Sequence, residues 1–92
     1  MATTKLKYST FYGRKQDADD WMTEFLDTAA TNVEDTPVNL LRIFPGLMKK
    51  DAMHWYHNDL TPAIRADWDL VKAAFLDAFR KEKSISRIMA RL

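Results

Sequence analysis

Two histidines three residues apart, His54 and His57, follow Asp51 at the same interval. On a helix this spacing sets a carboxylate and two imidazoles on one side, where a divalent metal could sit. The usual two-histidine helical site uses an i, i+4 pair and recruits further ligands, and none can be placed here. The plainer reading is two surface imidazoles beside a buried Trp55. Asp67 and Asp69 flank Trp68, so on a helix they point in different directions and do not make an acid–base pair. Ser9, Ser84 and Ser86 lie in no nucleophile elbow. Two glycines are too few for a phosphate-wrapping loop. The absence of cysteine excludes disulfides, thiolate chemistry and thiolate zinc sites. The parts of a reaction centre are missing, and the expectation is a chain that is not an enzyme and uses no cofactor or metal.

The bulk properties fit that expectation. Ninety-two residues make one domain. Aromatics reach 12%, with three Trp, five Phe and three Tyr. Each one buried removes about 150–250 Å² from water, roughly 4–6 kcal/mol gross at ~25 cal/mol/Å². A handful can anchor a small core without staples. The first residues, Met1 to Lys5, carry no apolar signal-like stretch, and no apolar run approaches the ~18 residues of a membrane span. Cysteine-free composition suits a reducing compartment, so a cytoplasmic location is expected. Net charge is +1, unlike a dedicated nucleic-acid binder. The charge is unevenly placed: residues 17–35 hold seven acids and no Lys or Arg, whereas 80–91 hold five bases and one acid. Such runs are solvated helix faces or opposite-sign patches that meet between subunits.

The elements that would position these groups are helical. Residues 1–10 are polar; Leu6, Tyr8, Thr10 and Tyr12 alternate with Lys5, Lys7, Ser9 and Phe11, as in a short strand or an extended arm that lacks a partner edge. Asp17 caps a first helix ending near Thr31 and Asn32, with Trp21, Phe25 and Ala29 at i, i+4, i+8 and Met22, Leu26 and Ala30 beside them. Asp35-Thr36-Pro37 opens a second helix with Leu40, Leu41 and Phe44 inward, ended by Pro45-Gly46. The spacing predicts a third helix over 47–58, its inner face Met48, Ala52 and Trp55, with Tyr56 to one side and Leu60 closing the end. Thr61-Pro62 starts a short turn, and Asp67 caps a helix carrying Trp68, Val71, Phe75 and Phe79. Ser84 begins a last amphipathic segment, Ile85, Ile88, Met89 and Leu92. The expected fold is all-α: a small orthogonal bundle of four to five helices over 14–83, an extended N-terminal arm over 1–13, and a connecting segment over 84–92.

Three pieces in this order resemble the capsid region of Gag from gypsy-type LTR retrotransposons and the Arc-like domesticated host proteins derived from it. They are Phe11 and Gly13 ahead of Trp21 and Phe25; then Met48, Ala52, Trp55, Tyr56 and Leu60; then Trp68 with Phe75 and Phe79. The resemblance covers roughly 11–80. Lys50 stands where that family often has glycine and Met48 where it has leucine, both tolerable on a helix. The family's second lobe, zinc knuckle and protease motif have no counterpart in this sequence. The resemblance implies the N-terminal lobe of a capsid protein, packing against copies of itself in a virus-like shell and monomeric or weakly associating alone. Ile85, Ile88, Met89 and Leu92 would then form the assembly or linker surface. It also implies a groove for short extended peptides near Leu6, Tyr8, Phe11, Tyr12, Trp21 and Phe25, which an extended chain would complete by strand addition.

Two functions follow: a structural capsid lobe, or a domesticated module that captures hydrophobic peptides. Nucleic-acid packaging through Arg80–Arg91 ranks below both, because four net positive charges attract phosphate weakly and the aromatics are committed to the core.

Overall fold

The computed structural model describes residues 5–13 and 16–80. Five helices follow one another among the described residues: α1 (Ala18–Thr31), α2 (Pro37–Leu47), α3 (Lys50–Asp59), α4 (Pro62–Arg65) and α5 (Trp68–Phe79). The protein is a small all-α bundle with an extended arm before α1.

Four of the five helices start where a short polar side chain meets an orphan N–H. The Asp17 carboxylate accepts from the Asp20 N–H at 2.9 Å, Thr36 from Asn39 at 3.3 Å, and Thr61 from Ile64 at 3.2 Å. Asp67 accepts from both Asp69 and Leu70, at 3.0 and 3.4 Å. Each such cap is worth about 1 kcal/mol. Pro37 and Pro62 fill first-turn positions, where a missing N–H costs nothing.

The core is a continuous aromatic cluster with two centres. Phe44 of α2 meets Trp21, Phe25, Tyr56, Trp68 and Phe75 at ring separations of 5.5–6.0 Å. Phe75 of α5 meets Phe11, Trp21, Trp55 and Phe79. The two centres touch edge to face at 5.6 Å, an arrangement that suits the ring quadrupoles. α5 packs against α1, α2 and α4, and Trp55 of α3 closes over Phe75 and Phe79. Val71 and Phe75 are fully buried.

Three local expectations are corrected. α2 does not stop at Pro45-Gly46 but runs to Leu47. Pro45 lies inside the last turn, and its carbonyl takes the Met48 N–H at 3.2 Å. α3 therefore starts at Lys50, and Met48 lies before the helix rather than on its inner face. Met48 is extended and buried, and it forms a parallel β-bridge with Phe11. The departure at Lys50 is also more than an ordinary helical substitution. Its φ is 52°, in the left-handed region where glycine is at ease and other residues lose roughly 1–2 kcal/mol.

Candidate interaction surface

The arm has a partner, contrary to the sequence expectation, and that partner is the rest of the fold. The Phe11 N–H donates to the Leu47 carbonyl at 2.8 Å, and the Lys49 N–H donates to the Phe11 carbonyl at 2.9 Å. α3 has no side-chain cap, and its Ala52 N–H faces the Tyr12 carbonyl at 3.4 Å as well as the Lys49 carbonyl at 3.0 Å. Nearer its start the arm is gripped by Asn32, the C-cap of α1. The Leu6 N–H donates to Asn32 Oδ1 at 2.8 Å, and Asn32 Nδ2 donates to the Leu6 carbonyl at 2.9 Å. One amide side chain thus plays the part of a neighbouring strand. The buried Trp21 indole donates to the Ser9 carbonyl at 3.1 Å. Gln16 turns the chain back toward α1, accepting from the Tyr12 N–H and donating to the Thr10 carbonyl.

Gly13 makes the close approach possible. Its φ is 124°, and an added Cβ would lie 3.2 Å from the Asp51 Cβ and 3.7 Å from Phe79. Both objections point to glycine, one conformational and one steric.

Glu34 supplies the electrostatic part of the grip. It accepts from Lys5 Nζ at 2.8 Å and from the Tyr8 hydroxyl at 2.7 Å. Hydrogen bonds from Lys5 and then Tyr8 hold its carboxyl below the ordinary value. Partial burial, and then the bond to Glu34, push the Tyr8 hydroxyl upward. Burial raises Tyr56 likewise. Arg80, just past α5, forks onto both carboxylate oxygens of Asp19 with Nε at 3.1 and 3.0 Å, which raises its pKa further.

Of the six residues expected to line a peptide groove, Phe11, Trp21 and Phe25 are core residues, and Tyr8 packs on Phe25 at 5.6 Å. Leu6 and Tyr12 remain about half exposed, at 52% and 50%. Among the described residues, a concavity beside the arm lies on the outer face of α1. It is a groove of about 370 Å³ lined by Leu6, Asp20, Thr23, Glu24, Asp27, Thr28 and Thr31. A second one, of about 330 Å³, lies where Pro37, Val38 and Leu41 face Ala66–Asp69. Val38, which lines it, is 74% exposed, and Val33, between α1 and α2, is 83% exposed with a φ of 58°.

Among the remaining motif residues, Gly13, Ala52, Trp55, Tyr56, Leu60 and Trp68 are buried and Phe79 is partly so. His54 and His57 are exposed, and among the described residues no three His, Asp or Glu converge to hold a metal. The Asp67 carboxylate is spent on the cap of α5. No helix among the described residues is long and apolar enough to cross a membrane. Ile85, Ile88, Met89, Leu92, Ser84 and Ser86 lie outside the described residues. Sequence reasoning passed over Phe44 as a centre of the core, although its place on the apolar stripe of α2 signalled burial. It also passed over Asn32, which read only as a helix end. No protein-family model matches the chain, and no curated protein or solved structure matches it.

Proposed function

We propose that this chain is the N-terminal lobe of a Gag-type capsid protein, a non-catalytic module that makes contacts with copies of itself in a shell. The reading is supported by where the resemblance residues lie. The aromatic-Gly arm, the Trp-aromatic pair of α3 and the Trp and Phe residues of α5 meet in one core. The large rings are thereby consumed in holding shape, and recognition falls to the outside. Val33 is exposed and held at a φ of 58°, a conformation that β-branched residues avoid, and strain of this kind tends to gather at surfaces with a task beyond stability. Lobe–lobe contacts that are weak singly are multiplied in a closed assembly. The test is the product of the complete gene, imaged by electron microscopy across a range of salt. Particles or ordered oligomers are expected, with the 92-residue chain monomeric or weakly associating in sedimentation. Dispersed monomer under every condition would reject the reading.

A second reading, capture of extended hydrophobic peptides, draws on Asn32. Its amide grips the backbone of Leu6 and reads no side chain, so an extended peptide that displaced Leu6 would be held in the same way. Saturable binding of such peptides, weakened by Asn32→Ala, is expected on this reading. Affinity unchanged by that substitution would sink it.

A further inference from the structure

The groove on α1 has acids on its rim, and its occupant can be argued from the chain itself. Asp20, Glu24 and Asp27 fall at i, i+4, i+7 along the outer face, and among the described residues none has an ion-pair partner. Leu6 and the threonines Thr23, Thr28 and Thr31 offer apolar surface between them. Arg80, the last described residue, is tied by its fork on Asp19 to the first turn of α1, the turn that also carries Asp20 of this groove. The residues that follow hold four bases, Lys81, Lys83, Arg87 and Arg91, against one acid, Glu82, and four large apolar side chains, Ile85, Ile88, Met89 and Leu92. The groove runs from Asp20 to Thr31, about 16 Å at the ~1.5 Å rise of a helix, and twelve residues span about 18 Å even if helical.

We propose that residues 81–92 dock in this groove of their own chain, with apolar side chains against Leu6 and the threonine methyls and basic ones against Asp20, Glu24 and Asp27. The anchor at Arg80 favours the same chain over a second copy, because tethering gives a local concentration in the millimolar range. Docking covers the acidic outer face of α1.

The chain has no cysteine, so a nitroxide on Ala90→Cys is a unique label. In dilute ¹⁵N-labelled protein at low salt, the amides of Thr23, Glu24 and Asp27 are expected to lose half or more of their intensity relative to the reduced label. The loss should vanish at 1 M salt, where screening acts beyond about 3 Å, and in E24K/D27K. Both substituted side chains are exposed, so the far-UV spectrum verifies that the helix survives. Three results would overturn the proposal. One is no loss at low salt. Another is a loss that E24K/D27K leaves intact. The third is a loss as large when ¹⁵N chains without label are mixed with labelled ¹⁴N chains, which would make a second copy the occupant.

Discussion

Phe11 and Met48 lie side by side in a parallel backbone bridge, both fully or almost fully buried. Their hydrogen bonds run through Leu47 and Lys49, so the arm is stitched to the link between α2 and α3. The link, in turn, has its extended shape because the arm is there to pair with. The arm is therefore part of the fold rather than an appendage to it.

Phe11→Ala should accordingly act as a core truncation. The ring touches Trp21, Phe75 and Phe79 at 4.8–5.5 Å. A loss of about 3–5 kcal/mol is expected from urea unfolding, as for other buried Phe truncations. Tyr12→Ala, at a half-exposed neighbour, should cost far less. Equal costs would mean that the arm does not dock through Phe11. The same logic makes Phe11→Ala a poor probe of peptide binding, since it destabilises the whole core along with the arm.

Two glycine exchanges should move stability in opposite directions. Lys50→Gly relieves a left-handed residue of roughly 1–2 kcal/mol. It adds about 0.5–1 kcal/mol of backbone entropy cost. The net is a gain of up to ~1.5 kcal/mol, at about 4–8 °C in Tm for each kcal/mol in a domain of this size. Gly13→Ala should lose about 1–3 kcal/mol, since a Cβ there meets both a forbidden φ and Asp51. Paired thermal melts decide the signs.

The helix starts were legible because they are local. Asp17, Thr36, Thr61 and Asp67 each cap within three residues of themselves. The core was legible from periodicity, since Trp21, Phe25, Trp68, Val71 and Phe75 keep one face of their helices. Met48 was misread because its helical spacing to Ala52 is real, while its bridge depends on a residue far away in sequence. The docking of the arm left no mark for a similar reason. Its bonds come from backbone groups that every residue has, and from an Asn32 that ends a helix in the ordinary way. The strain at Val33 and Lys50 was hidden because side-chain type does not report φ when context overrides propensity.

The arm contact should depend on pH at both extremes. Glu34 is depressed in the folded chain, so its contribution is present above its ordinary value of 4.5 and is lost as pH falls through the folded value. Tyr8 is raised, so its contribution is intact below its ordinary value of 10.0 and is lost as pH climbs through the folded one. The urea midpoint of the wild type should thus fall at both ends. Glu34→Gln should flatten the acid limb, leaving the fall due to other carboxylates. Tyr8→Phe should flatten the alkaline limb. Profiles parallel to the wild type would show that the pair adds nothing.

Asn32→Leu separates docking of the arm from integrity of the bundle. It keeps approximate volume and removes both hydrogen bonds to Leu6, stranding an N–H and a carbonyl that the amide had satisfied. Unsatisfied buried polar groups cost about 1–3 kcal/mol. Here, that cost should appear as local release rather than global unfolding, because Leu6 lies at the half-exposed end of the arm while Phe11 remains anchored in the core. Hydrogen exchange should therefore quicken at Leu6, leaving the Phe11 amide and the amides of α5 at wild-type rates. Rates raised equally across Leu6, Phe11 and α5 would mean that the amide supports the whole bundle and that the arm does not open on its own.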